Sequence, residues 1–298
     1  MKKLIAYSTG WNLTTKLVKA LANAVFLHDK NWEVEMYDIN NFTLYGLPKN
    51  IDAVLSYGIL RNTGKMFKQA AKSNIDRYYM DHAYFDAGFK NHFWMRVLKN
   101  KHTMNIIKET SGTRWKEFFS SNYRLKNWKK NSERGKNILI IPPTKAICWY
   151  FDQHDWLNNL IKFFEKKFDK SFLNKIKIRE KPNEPIVDKD GNFIGLDIKK
   201  VADQSPLKED LKEANIVIAY NSQVALEATI QGIPVIVDNH NCCWPISYSL
   251  NDITNDLINH KFEIEPDRLS LVKWLSCCQF NYAEMKNGSA WRTINQLQ

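Results

Sequence analysis

Residues 215–246 read NIVIAYNSQVALEATIQGIPVIVDNHNCCWPI. An apolar run at 216–219 stops at Tyr220, Asn221 and Ser222. A helix-forming stretch follows at 223–231, Gly232 ends it, and a second apolar run occupies 234–237. Strand, turn, helix and strand in that order make one βαβ unit with parallel strands. Asn221, Ser222 and Glu227 fall where the first strand gives way to the helix. In open α/β sheets, ligands bind at that edge.

The same alternation extends outward in both directions. Strands are predicted at 4–8, 33–37, 53–57 and 78–82, with helices at 14–26 and 65–72. The first helix carries Leu17, Val18, Leu21 and Val25 at helical spacing. After a strand-like segment at 93–98 and a basic region, the pattern restarts. A strand is predicted at 137–141, a helix within 152–168, a strand at 175–178 and a short helix at 207–212. Residues 269–281 and 282–294 read as closing helices. Strands alternating with helices predict parallel sheets covered on both faces, an α/β fold with right-handed crossovers. The expected organisation is an N-terminal Rossmann-like domain at 1–135, with a basic aromatic insertion at 91–135. A C-terminal Rossmann-like domain at 136–270 and closing helices at 271–298 follow.

Composition narrows the function classes. At 298 residues and 44% hydrophobic content, the chain can bury one large or two medium cores. No apolar run approaches the length of a membrane-spanning helix. The start, MKKLIAYSTGWN, shares only its two lysines with a signal peptide, which predicts a cytoplasmic protein (the host cytoplasm if phage-encoded). Cys148 and the adjacent pairs Cys242-Cys243 and Cys277-Cys278 have neither disulfide nor zinc spacing, so reduced buried thiols are expected and no metal. Nothing in the sequence sets the oligomeric state.

The net charge is +11, and much of it lies at 91–136, where twelve Lys and Arg face three Glu. Trp94, Trp115, Phe118, Phe119, Tyr123 and Trp128 are interleaved with them. A cationic strip with rings suits DNA, whose bases can stack. A solvated basic face with its rings turned inward fits the same string.

Two Rossmann-like halves describe the GT-B glycosyltransferase plan, and the second half resembles that family at one place. Asn221-Ser222, Glu227 and then Gly232-Ile233-Pro234-Val235 are similar to the S-x4-E…G-x-P-V nucleotide-sugar element of capsule-type sugar transferases and related phage-encoded enzymes. The resemblance implies two domains facing across a cleft. It implies a donor such as a UDP-sugar, with Ser222 and the helix start on phosphate and Glu227 on the ribose. Backbone N–H groups at a helix start do attract anions. Arg179 or Lys181, in the string Arg-Glu-Lys-Pro at a strand end, would face the donor pyrophosphate, and Thr144 after Pro142-Pro143 would add contacts. Enzymes of this plan generally need no metal or other cofactor. Asp188-Lys189-Asp190 spells D-x-D but precedes Gly191-Asn192, and reads as a hairpin turn.

The first half is expected to hold the acceptor. Asp81 and His82 end a predicted strand and are candidate bases for an acceptor hydroxyl. Ser8, Thr9, Gly10, Arg61, Tyr84, Arg96, Trp94 and Trp115 are candidate acceptor contacts. A hydroxymethylated pyrimidine in phage DNA, flipped from the duplex, fits the basic strip. A cell-surface polysaccharide is the competing acceptor. A nucleotide-sugar 2-epimerase and a non-catalytic nucleic-acid-binding protein are the alternatives. The absence of G-x-G-x-x-G, of a P-loop and of G-x-S-x-G argues against nicotinamide enzymes, P-loop NTPases and α/β hydrolases.

Overall fold

The computed structural model describes residues 1–87, 93–198, 206–257 and 259–297. The chain divides into two compact units: Met1–Met104, Val187–Ile194 and Leu275–Gln298 form one, and Asn105–Ile186 with Gly195–Trp274 form the other.

In the first unit β1 (Lys2–Ser8), α1 (Asn12–His28), β2 (Trp32–Asp38), α2 (Ile39–Tyr45), β3 (Ala53–Tyr57), α3 (Thr63–Lys72), β4 (Asp76–His82) and β5 (Met95–Lys99) follow one another. With β12 (Gln279–Phe280) they make a sheet of order β12-β5-β4-β3-β1-β2. The pairings among β1 to β4 are parallel, and β5 pairs antiparallel with both β4 and β12. The apolar spacing of α1 explains its place, since Leu17, Val18, Leu21 and Val25 pack with Leu4, Ala6 and Leu55 of the sheet. Each such buried side chain contributes about 1.5–3 kcal/mol. Asp38 starts α2 by accepting from the Asn40 N–H at 2.9 Å. Helices α11 (Tyr282–Lys286) and α12 (Ser289–Leu297) add Met285, Trp291 and Ile294 to this core.

The second unit contains α4 (Thr113–Phe118), β6 (Asn137–Ile141), α5 (Lys145–Phe151), α6 (Trp156–Lys167), α7 (Lys170–Leu173) and β7 (Ile176–Ile178). Then come α8 (Leu207–Glu213), β10 (Ala214–Ala219), α9 (Val224–Ile230), β11 (Val235–Val237) and α10 (Arg268–Ser276). Its sheet is wholly parallel, of order β11-β10-β6-β7. Ile138, Ile140, Ile216, Ile218 and Ile236 meet Leu160 and Phe164 of α6 on one face. Strands buried on both sides read as continuous apolar runs, as β6 and β10 do.

A hairpin of β8 (Asn183–Val187) and β9 (Phe193–Ile198) turns at Asp188. The Asp188 carboxylate accepts from the Asp190 and Asn192 N–H groups at 2.9 and 2.8 Å and from the Asn192 side chain at 2.7 Å, so the D-x-D string is a turn.

Two boundaries differ from the expected ones. Residues 105–135 group with the second unit, because that stretch is anchored there by its backbone: Lys126 N–H donates to Ile230 O at 2.9 Å and Lys129 N–H to Gly232 O at 3.0 Å. The helix expected at 269–281 ends at Ser276, and Gln279–Phe280 pairs with β5. A two-residue strand has no periodicity to read, and it exists because β5 offers an unpaired edge.

Each sheet reverses its strand order at one place. In the first unit this lies between β1 and β3, and in the second between β6 and β10. Ligands of open α/β sheets bind outside the carboxyl ends of the strands at such a switch point.

Candidate functional site

In the second unit the switch point is framed by the loop after β6, Pro142-Pro143-Thr144, and the turn after β10, Tyr220-Asn221-Ser222. Thr144 caps α5, its Oγ1 accepting from the Ile147 N–H at 3.4 Å. Ser222 Oγ accepts from the Val224 N–H at 3.3 Å, and its carbonyl accepts from Asn241 Nδ2 at 3.1 Å. Asn221 is half-buried beside it. The helix that follows, α9, has only seven residues, so its dipole is small and side chains must carry most of any phosphate contact.

Glu227 stands exposed on the first turn of α9, and its carboxylate makes neither a hydrogen bond nor an ion pair. Surrounding protein raises its pKa above the usual glutamate value. The exposure governs its role, since the carboxylate stays open to solvent or ligand. Gly232 acts on packing. At φ +77°, a Cβ there would lie 2.1 Å from the Asn127 carbonyl oxygen, so only glycine admits the irregular segment that crosses it.

The two candidate cations separate. Arg179 is paired with the buried Asp210, which Lys177 also meets at 2.6 Å. That arginine holds β7 to α8, which corrects its assignment to the donor. Lys181 is exposed and lines a cavity of about 180 Å³ with Pro143, Thr144, Gln153 and His154 at the ends of β6 and β7.

In the first unit, Asp81 and Arg96 face each other across the antiparallel β4–β5 pair, and their side chains form an ion pair at 3.1 Å. Tyr79 donates its hydroxyl hydrogen to the Asp81 carboxylate, and the His82 N–H donates to it at 2.8 Å. Burial pushes the Asp81 carboxyl up, but the Arg96 charge, the His82 charge and the Tyr79 hydroxyl together hold it below the usual range. Such a carboxylate is a weak base. His82, exposed at the end of β4, meets Tyr57 edge-on at 6.2 Å.

The remaining candidates fall into two groups. Ser8 donates to Asp38 at 3.2 Å, and buried Thr9 bonds Thr14 at 2.6 Å; Gly10 takes φ +73° in the loop beside them. Arg61, in left-handed backbone at φ 55°, lies exposed over the rings of Trp11 and Phe193. By contrast Trp94, Trp115, Tyr84 and Arg96 are all buried. Tyr84 accepts the Met104 N–H at 2.7 Å, and Arg96 is held by Asp81. These side chains are core, which corrects the expectation that they contact an acceptor. Burial of an aromatic ring outweighs any use it has as a stacking platform when the fold needs it inside.

Several residues that shape the two sheet edges escaped the sequence reading. Gln279 accepts from the Tyr84 and Phe85 N–H groups at 2.9 Å each and shapes the loop after β4. Buried Asn241 pins the Ser222 turn, and its Oδ1 also accepts the Cys243 N–H at 2.9 Å. Asp238 follows the end of β11, and His240 packs against the Tyr220 ring at 5.6 Å beside the turn after β10. Among the described residues no group of His, Cys, Asp and Glu could hold a metal, and no helix is long and apolar enough to cross a membrane.

These features define an α/β protein of two Rossmann-like units, the domain content of the GT-B plan. No protein-family model matches the chain, and no curated protein matches it in sequence. Among solved structures, it is similar to a β-Kdo 2,7 transferase, KpsC of Thermosulfurimonas dismutans (11% identity, 100% of each chain, TM-score 0.41). The β-Kdo 2,4 transferase of the same organism's KpsC matches at 12% identity over 99% of this chain and 97% of that one, with TM-score 0.41. A UDP-GlcNAc 2-epimerase of Methanocaldococcus jannaschii matches at 11% identity over 100% of both chains, with TM-score 0.28.

Proposed function

We propose that the protein is a glycosyltransferase whose second unit binds the nucleotide-sugar and whose first unit supplies the acceptor site. The observation that carries this reading is the β6/β10 switch point, where Glu227 stands open without a partner and Lys181 lines a nearby cavity. A carboxylate accepts two ribose hydroxyls, and an ammonium balances phosphate. In the first unit His82 takes the proton from the acceptor hydroxyl. The acceptor oxygen then forms its bond to the anomeric carbon, and the nucleotide leaves with the electron pair of the broken C–O bond. Asp81, kept ionised by Arg96, positions the end of β4.

A hydroxymethylated pyrimidine of DNA remains the acceptor we propose, on electrostatic grounds alone. Lys108, Lys116, Arg124, Lys126, Lys130 and Lys136 are exposed on the second unit. A polyanion bound there should weaken steeply between low and moderate salt.

The test is transfer of labelled sugar to hydroxymethylated DNA, plain DNA and polysaccharide at two salt concentrations. Labelled product with any acceptor supports the glycosyltransferase. Label on polysaccharide alone would end the DNA proposal. Conversion of the nucleotide-sugar to its epimer with no acceptor present would replace transfer by epimerisation.

A further inference from the structure

Beside the cavity at Lys181 lies a second one, of about 270 Å³, near the lower end of the range for ligand pockets. It sits where β10 and β11 end under the start of α6, and the two cavities share Gln153. Its apolar wall includes the half-buried indole of Trp156. Its polar groups are Asp238, Gln153 and Asn159.

Asp238 is the unusual member. It is half-buried in a protein of net charge +11, yet among the described residues it forms no ion pair. Its carboxylate accepts a single hydrogen bond, from the His240 N–H at 3.3 Å, which leaves most of its accepting capacity open. The Gln153 side-chain amide likewise has no partner. Two half-buried polar side chains with open bonding capacity on one cavity are groups that a ligand would meet.

A carboxylate repels phosphate, so this cavity suits an uncharged part of a ligand whose phosphates lie toward Lys181. It favours a flat ring, for which Trp156 is a wall, with an edge that donates hydrogen bonds. Among nucleobases, cytosine, guanine and adenine present an exocyclic amino group to an Asp acceptor, whereas uracil has none and presents a carbonyl where cytosine has its amino group. We propose that this cavity is a nucleobase site and that Asp238 selects an amino-bearing base over uracil. The inference rests on the nucleotide-sugar reading and replaces the UDP-sugar expected from the sequence with a nucleotide whose base carries an amino group.

The experiment compares CDP, GDP and UDP binding to the full chain by calorimetry. All three carry the same ribose and phosphates, and CDP and UDP differ only at the base edge. CDP or GDP should bind about tenfold or more tighter than UDP, the scale of one hydrogen bond to a charged acceptor. Asp238→Asn keeps the Oδ1 acceptor for His240 but adds an amide donor, so it should erase or reverse the preference for CDP over UDP. Asp238→Ala should erase it as well, and unchanged melting of both unliganded variants would show that folding is intact. UDP binding as tightly as CDP and GDP, with Glu227 still required, would overturn the base assignment alone. Unchanged discrimination in Asp238→Asn would also overturn it. Failure of all three nucleotides to bind would remove the nucleotide reading and this inference together.

Discussion

The carboxyl edges of the two sheets hold similar residues and treat them differently. In the first unit the acid is already answered: Asp81 has Arg96, Tyr79 and a backbone N–H. In the second, Glu227 on α9 and Asp238 after β11 pair with no cation. Arg179, the guanidinium nearest in sequence to that edge, is occupied by Asp210. An acid paired within the fold stabilises it. An acid left open there contributes little to stability and is available to a ligand. The second edge therefore has the form of a binding site and the first that of a rigid frame around one exposed imidazole.

The largest expected effect would sharpen the first half of that contrast. His82→Ala should lower kcat by about 10²–10⁴ if His82 is the general base. Asp81→Asn, which changes a positioning group, should retain more activity than His82→Ala. The reverse order in a transfer assay would move the base to Asp81.

Gly232→Ala tests packing beneath the second edge. The left-handed backbone and the Asn127 carbonyl leave no room for a methyl group. Its cost should be about 3 kcal/mol in urea unfolding, the range of strained-backbone lesions.

Arg96→Met would break the frame of the first edge by leaving the partly buried Asp81 carboxylate unpaired. A fully buried pair loses about 3–5 kcal/mol on such a change, and the partial exposure of Asp81 reduces this to about 2 kcal/mol. The pH dependence has a definite sign. The Asp81 carboxyl is held below its usual value in the folded protein, so its contribution is present above the unfolded pKa of about 4 and is lost as pH falls through the folded value. The stability gap between wild type and Arg96→Met should therefore narrow below about pH 4. A gap constant with pH would show that Arg96 acts through packing alone.

Glu227→Gln should change stability least, within about 0.5 kcal/mol, because the carboxylate has no partner to lose. A larger loss would mean that the second edge is framed like the first.

Sequence reading reached the βαβ unit and most of the strands because their apolar runs are fully buried, and such runs are visible without a structure. It placed Asn221, Ser222 and Glu227 between the first strand and the helix of that unit for the same reason, and they do follow the end of β10. It could not separate Arg179 from Lys181, since the deciding partner, Asp210, lies on another element. Nor could composition tell that Trp94 and Trp115 face inward, because a basic stretch with rings reads alike whether the rings stack on a ligand or fill a core. Asp238 and Gln153 carry no spacing signal, and only the fold brings them to one cavity.

Equilibrium binding of a nucleoside diphosphate to wild type and to Glu227→Gln tests the open edge most directly. The wild type should bind, and the variant should bind about 10- to 100-fold more weakly with its melting temperature unchanged, the scale of hydrogen bonds to a charged group. Equal affinity in the two proteins, or no binding to wild type, would contradict the assignment of Glu227 and the β6/β10 switch point to a nucleotide.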